Sequence, residues 1–268
     1  LEKLDPSLTV SMLNDLVKFS SNQMASSYEY LLDSLRKALS GASVTPLPIG
    51  DDSNSAASRV TFHATLKTLQ DTPLFKRLEG KITLLQSTAD VFDRARQDFA
   101  FYVALHDLAP MVIASSDLDA KTALNDVWQL TRATDFAVWN DDKDKGPSEE
   151  KVISDEWIKD RAVMLKWVLA RNELDEGVSV DGPNDMRFLD NRSQMDIRVD
   201  SGIFPANDID RRVYWFGDEQ ANTIKGNDLA DRLYGGRGDD VLNGNGGADY
   251  IEGNDGVDTI DGGEGNDT

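Results

Sequence analysis

A chain of 268 residues, 40% hydrophobic and with five tryptophans, is long enough to bury one large core or two ordinary ones. Its 48 acidic against 28 basic residues leave a net charge of −20, which argues against nucleic acid and anionic lipid as electrostatic partners and points to cations. The absence of cysteine excludes a disulfide framework and a thiolate metal site.

The first 176 residues have helical periodicity. Asp5 before Pro6 makes a helix start, and further helices are expected near 7–40, 58–79, 82–108, 117–139 and 154–172. Phe62, Leu66 and Leu69 share one helical face, Phe92, Phe99, Val103 and His106 a second, and Ile158, Ala162, Leu165 and Leu169 a third. Ser154 followed by Asp155 and Glu156 is a strong amino-terminal signal, because a hydroxyl cap and early acids complement the exposed amides. Loops are expected around GASVTPLPIGDDSNSAAS and NDDKDKGPSEE. The run FAFYVALHDLAPMVIA is interrupted by His106, Asp107 and Pro110, so it reads as a buried helix and not a membrane span. Residues 1–176 are therefore expected to form a helical bundle.

This region carries no recognisable chemistry. NDDKDKG fails as an EF-hand loop, since position six is Lys145 and position twelve Lys151 where glycine and glutamate are needed. His63 and His106, the two histidines, lie on apolar helical faces and read as core residues. No G-x-S-x-G, H-E-x-x-H or phosphate loop occurs, so no catalytic residue is expected in the chain.

Between residues 177 and 216 the pattern changes to short strands such as MDIRV and RRVYWF, separated by DGPND and FPAND turns. This segment reads as a β connector ending in a cap, with Val213 to Phe216 supplying an apolar lid for the carboxy-terminal segment.

From Gly217 to Thr268 the composition shifts sharply, with 13 acids, 3 bases and 13 of the 20 glycines. A nine-residue frame runs through it without slipping: GDEQANTIK, GNDLADRLY, GGRGDDVLN, GNGGADYIE, GNDGVDTID and the partial GGEGNDT. Position eight holds Ile224, Leu233, Leu242, Ile251 and Ile260, and position six holds Asn222, Asp231, Asp240, Asp249, Asp258 and Asp267. One aliphatic per nine residues suits a very short strand pointing one side chain inward, so that only stacking can bury it.

The turns between these strands are the candidate metal residues. Position one supplies Gly226, Gly235, Gly244, Gly253 and Gly262, and position two supplies Asn227, Gly236, Asn245, Asn254 and Gly263. Asp228 stands at position three, and Gly238, Gly247, Gly256 and Gly265 stand at position four. Glycine admits backbone angles that curl a six-residue turn with its carbonyls inward, and Asp231, Asp240, Asp249, Asp258 and Asp267 add a carboxylate to each ring. Oxygen-only coordination suits Ca²⁺ with its six to eight ligands; Mg²⁺ tends to keep its waters. Without metal the stacked carboxylates repel and the thin aliphatic ladder does not offset chain entropy, so folding is expected to depend on calcium.

In this pattern the segment 217–268 resembles the RTX calcium-binding repeats of secreted bacterial proteins, with consensus G-G-x-G-x-D-x-U-x, where U is aliphatic. The resemblance implies a parallel β-roll with two nonapeptides per coil and Ca²⁺ between turns n and n+2. Asp231 would then face Asp249, Asp240 would face Asp258 and Asp249 would face Asp267, giving about three or more ions. Gln220, Leu229 and Asn222 depart from the pattern, so sites are expected to be weak or absent at that end. The resemblance also implies export of an unfolded chain through a type I secretion channel and folding outside the bacterium. The expected class is an α+β multidomain protein: a helical domain 1–176, a β connector 177–216 and a calcium-binding β-roll 217–268, which scaffolds adjacent domains of the same polypeptide.

Leu1 and a final frame that stops in mid-phase at Thr268 give the expectation of a piece of a longer protein. ARQDFAFYVALHDLAPMVI and SDEWIKDRAVMLKWVL, followed by a connector and FGDEQANTIKGNDLADRLYGG, are similar to the helical region preceding the repeats in large secreted lipase-like RTX proteins. That similarity implies a hydrolase whose nucleophile lies upstream of Leu1. The alternative expectation is an RTX cytotoxin or adhesin, whose helical domain engages a host surface or lipid.

Overall fold

The computed structural model describes residues 82–84, 91–108, 111–113, 132–143, 145, 151–173, 179–181, 185–193, 195–201 and 211–268. The expected helices 7–40 and 58–79, the Asp5–Pro6 start, the loop after residue 40, His63 and residues 117–131 lie outside them. Two compact units are drawn from Leu1–Glu149 with Arg161–Asp175 and from Glu150–Asp160 with Glu176–Thr268.

In the first unit, β1 (Ile82–Leu84) pairs antiparallel with β2 (Met111–Ile113), and between them lie α1 (Val91–Gln97) and α2 (Phe99–His106). A single helix is expected over 82–108, and this corrects it to a strand and two helices. The break falls at Asp98, whose backbone is extended (φ −134°, ψ 114°) while its side chain accepts the Ala100 amide at 3.1 Å. A short acid that bonds its own backbone competes with the helix ladder, and a new helix starts there. Every residue of α2 from Phe99 to Leu105 is buried, as befits a helix apolar all round. It ends at His106 with Asp107 as its cap, and Leu108 beyond it adopts a left-handed φ of 52° shortly before Pro110.

The remaining helices are α3 (Ala133–Asp142) and α4 (Asp155–Glu173), of which residues from Arg161 onward belong to this unit. The NDDKDKG stretch is thus helical as far as Asp142, with Lys145 paired to Asp141 and Asp142 at 2.9 and 3.0 Å. Trp139 packs on Phe99 and donates its indole N–H to the Ala95 carbonyl at 2.8 Å. Arg161, fully buried, donates to the carbonyls of Leu105 and His106 at 3.4 and 2.7 Å and so satisfies the carboxyl end of α2. His106 is largely covered, lies with its ring tilted against that of Tyr102 at 5.5 Å and is 3.3 Å from Asp107, which is ion-paired to Arg132. Among its described residues, this unit is mixed helix and sheet.

The second unit contains the first two turns of α4, which begin where Ser154 Oγ accepts the Trp157 amide at 2.9 Å. Its strands are β3 (Ser179–Asp181), β4 (Met186–Asp190), β5 (Met195–Asp200), β6 (Arg212–Phe216), β7 (Thr223–Lys225), β8 (Arg232–Arg237), β9 (Val241–Asn243), β10 (Tyr250–Asp255) and β11 (Thr259–Asp261). They form a six-stranded sheet in the order β10-β8-β6-β4-β5-β3 and a three-stranded sheet in the order β11-β9-β7. The antiparallel β4–β5 hairpin begins the change of direction, and β4, β6, β8 and β10 then run parallel.

The parallel register among the repeat strands is eighteen residues throughout: Trp215 lies beside Leu233, Leu233 beside Ile251, Ile224 beside Leu242 and Leu242 beside Ile260. Successive nonapeptides therefore alternate between the two sheets. Ile224, Leu233, Leu242 and Val213 form one buried cluster to which both sheets contribute, flanked by Trp215 and Ile251. β6 continues the repeat register one step upstream of Gly217, so the six-stranded sheet runs unbroken across residues 216 and 217.

Candidate metal centre

Because the strands repeat every eighteen residues, the position-six side chains stack turn over turn. Each uses one carboxylate oxygen on the turn before it. Asp231 Oδ1 accepts the Val213 amide at 2.7 Å, Asp249 Oδ1 the Asp231 amide at 2.7 Å and Asp267 Oδ1 the Asp249 amide at 3.0 Å. On the other edge Asp240 Oδ1 accepts the Asn222 amide at 2.7 Å and Asp258 Oδ1 the Asp240 amide at 2.9 Å. The acids are thereby fixed to the backbone of a neighbouring coil, which exposed carboxylates on rotatable side chains are not.

The other oxygen divides the turns into two kinds. In the first two frames the turn's own backbone closes on the position-six side chain: the single oxygen of Asn222, Oδ1, accepts the Asp218 amide at 2.8 Å, and Asp231 Oδ2 accepts the Asn227 amide at 2.6 Å. In the next two frames nothing does. Asp240 Oδ2 and Asp249 Oδ2 are buried without a hydrogen-bond partner, on residues only 1% and 2% exposed. A buried carboxylate oxygen with no donor costs several kcal/mol in a dry site, roughly 1–3 even by mutational measure, so its natural complement is a cation.

Backbone conformation explains the split. Gly236 and Gly238 have φ of 101° and 106°, and Asn245 and Gly247 have 70° and 117°, so positions two and four are left-handed in these frames. No residue of the first two frames has positive φ. Left-handed geometry turns the position-two amide elsewhere: that of Gly236 points to Asn254 Oδ1 at 3.3 Å and that of Asn245 to Asn243 Oδ1 at 2.9 Å. Gln220 and Leu229, occupying position four of the first two frames, would be strained there.

Carbonyl oxygens converge on the same spaces. A Cβ at Gly235 would collide with Asp240 Oδ2 and lie 2.6 Å from the Gly253 carbonyl oxygen, and one at Gly244 would collide with Asp249 Oδ2 and the Gly262 carbonyl oxygen. Glycine at position one thus leaves room where a carboxylate oxygen and a main-chain oxygen meet. A Cβ at Gly256 would strike the Gly238 carbonyl oxygen, and one at Gly265 that of Gly247, so the position-four carbonyls also line the gap between turns. Among the described residues no group of three or more His, Asp or Glu side chains gathers, so any ion held here takes one or two carboxylates and completes its shell with carbonyls. The donor set is all oxygen, which fits Ca²⁺.

Burial pushes the carboxyls of Asp231, Asp240 and Asp249 above the ordinary carboxylate value, and the neighbouring acid of the next coil adds to it. The amide bonds they accept from Val213, Asn222, Asn227 and Asp231 pull the other way without outweighing burial.

The remaining sequence candidates are spread around this ladder. Asp258 is half-buried and Asp267 exposed. Asp228 is exposed, with Oδ1 3.5 Å from a Cβ position at Gly246. Asn227 and Asn245 donate their side-chain amides to the carbonyls of Arg211 and Gly226, and Asn254 donates to Val152. Gly263 is left-handed at φ 90°, and Gly253 and Gly262 sit against Asp258 and Asp267 as Gly235 does against Asp240. Two participants escape a search for acids: the Val213 amide that anchors Asp231, and Asn222. The signal for the first is a frame running one turn further upstream, with Val213 at position six and Trp215 at position eight.

Comparison with known proteins agrees with this geometry over the same residues. Matches to the model of the RTX calcium-binding nonapeptide repeat (4 copies) cover 216–251 and 234–268. The carboxy-terminal segment 216–268 therefore consists of RTX calcium-binding repeats, a type of calcium-binding module that the rest of the chain precedes. No curated protein and no solved structure matches the chain.

Proposed function

We propose that residues 217–268 are a parallel β-roll that folds around calcium, and that the chain is part of a secreted bacterial RTX protein exported unfolded through a type I channel. The observation that carries this reading is the pair of buried, partnerless oxygens, Asp240 Oδ2 and Asp249 Oδ2, each converging with a glycine carbonyl of the next coil. Calcium at extracellular levels, about 10⁻³ M, supplies the missing charge, whereas cytosolic calcium leaves the carboxylates to repel. The roll then acts as a calcium-dependent scaffold for the rest of its unit.

Calcium titration of the chain, followed by circular dichroism and calorimetry, tests this. The expected result is a gain of β signal with a midpoint of about 10⁻⁴ to 10⁻³ M, abolished by chelator and not reproduced by magnesium. An unchanged spectrum with no heat of binding would overturn it.

A further inference from the structure

The two sheets of the repeat unit turn very different faces outward. With position eight pointing inward, positions seven and nine point away from the shared core. On β7, β9 and β11 these are Thr223, Val241, Thr259 and Lys225, Asn243, Asp261, polar side chains that suit water apart from the exposed Val241. On β6, β8 and β10 they are Tyr214, Arg232, Tyr250 and Phe216, Tyr234, Glu252. Nothing in a calcium turn calls for aromatic residues and an arginine on one sheet only.

That face is occupied by residues 152–160 of the same unit. Tyr234 is fully buried, stacked on Phe216 at 5.1 Å, and its hydroxyl donates to Asp160 Oδ2 at 2.5 Å. Arg232 lies over the Tyr250 ring at 4.4 Å, pairs with Asp160 and donates to Glu156 at 2.7 Å. Trp157 meets Phe216 edge-on at 6.1 Å, and Asn254 donates to the Val152 carbonyl at 3.0 Å. These partners come from three different rungs of the sheet: Phe216 on β6, Arg232 and Tyr234 on β8, Tyr250 and Asn254 on β10. The platform exists only when the rungs are stacked in register, eighteen residues apart.

We infer that the start of α4 is a calcium-conditioned element: its first two turns dock on, and are ordered by, the outer face of the stacked repeat strands. The inference rests on the calcium-folding reading above. When the stack forms, a three-rung surface of rings and one guanidinium appears: Arg232 and Tyr234 of the middle rung pair with Glu156 and Asp160, and Phe216 and Tyr250 of the flanking rungs hold those two side chains in place. When the stack is lost, Tyr234 and Arg232 are on separate flexible segments from Phe216 and Tyr250, and the docked turns revert to the marginal stability of an unsupported helix end.

Hydrogen exchange on the full chain, read segment by segment across a calcium titration, separates the possibilities. The expected result is that 155–160 gains about tenfold or more protection with the same calcium midpoint as 232–261. Protection of the repeats with unchanged exchange at 155–160 overturns this inference and leaves the calcium-folded roll standing; no protection anywhere in 232–261 sinks both. Two variants keep the test independent of folding. Tyr234→Phe retains the ring stack and Arg232→Gln retains most of the side-chain volume, and each is expected to speed exchange at 155–160 in calcium by about tenfold while 241–261 stays protected. Lys225→Gln, on the opposite sheet, is expected to leave 155–160 unchanged. Wild-type exchange at 155–160 in both calcium-loaded variants would overturn the docking role.

Discussion

The turns 217–222 and 226–231 and the turns 235–240 and 244–249 follow one frame, yet they solve the same electrostatic problem in opposite ways. In the earlier pair the position-two amide of the same turn closes on the position-six side chain, through Asp218 to Asn222 and Asn227 to Asp231. In the later pair left-handed residues at positions two and four take that amide away and leave Asp240 Oδ2 and Asp249 Oδ2 bare. The difference teaches that the aspartate column alone does not define a cation site. What defines it is glycine or asparagine two and four places into the turn, because they decide whether the protein itself neutralises the carboxylate.

The most forceful way to break the comparison is to remove calcium altogether. Chelation is expected to erase the β signal and the exchange protection of 241–261, while the first turns, held by their own amides and by the β4–β6 pairing, lose much less. Equal loss at both ends would show that the amide-closed turns need the ion too.

The next largest effect is a reversal of sign. Asp240→Asn and Asp249→Asn keep the oxygen that accepts the neighbouring amide and replace the bare anionic oxygen with an amide nitrogen. Each is expected to lower the melting temperature in calcium and raise it in chelator, with a stability change of about 1–3 kcal/mol in either direction. Asp231→Ala is expected to destabilise by about 1–2 kcal/mol in both conditions, because its lost bonds are to protein amides. Calorimetric stoichiometry should fall for the first two and stay constant for the third.

A smaller effect separates the backbones. Gly247→Ala forces a side chain onto φ 117° and against the Leu229 carbonyl, and is expected to cost about 1–2 kcal/mol together with a weaker calcium midpoint. Leu229→Gly completes the asparagine and glycine pair in the frame of Asn227 and is expected to change stability by about 1 kcal/mol or less while raising the calorimetric calcium stoichiometry; an unchanged stoichiometry would show that these two positions do not decide the site.

The smallest effect is on pH. In the calcium-free chain, the raised carboxyls of Asp231, Asp240 and Asp249 hold more protons folded than unfolded. Their contribution is therefore favourable at low pH and is lost as pH rises from the ordinary value of 3.8 through the raised ones. With calcium the direction inverts at Asp240 and Asp249, since protons compete with the ion for their oxygens. Denaturant midpoints across that range, with and without chelator, should cross; parallel curves would contradict the assignment.

Much of this molecule is legible from its residues. The nine-residue period, the aliphatic column and the aspartate column place the strands and the stacked acids, because a period of nine leaves one inward side chain and one turn per unit. The capping signal at Ser154 likewise lies one residue before the helix that begins at Asp155. Other features escape because they depend on competition between near-equal local choices. Asp98 on an apolar helical stretch reads as a tolerable polar residue, and its conversion into a break is decided by a side-chain bond to its own backbone. The orphaned oxygens escape because Asp231 and Asp240 occupy the same column, and only the turn conformation distinguishes them. The docking face is written as parity: aromatic residues stand at positions seven and nine of alternate frames, which a search at period nine averages away and one at period eighteen reveals.

The bonds that run from each position-six amide to the acid eighteen residues later give the stack a polarity. Through this side-chain bond each coil is secured by its successor, Asp249 holding the Asp231 amide and Asp231 the Val213 amide, while the main-chain bonds between coils run both ways, as from the Tyr250 amide to the Asp231 carbonyl. Loss of residues 261–268 orphans the amides of Gly244, Gly247, Asp249 and Ile251 on the coil before them and leaves the bonds of earlier coils in place. Such a stack shortens coil by coil from its carboxyl side.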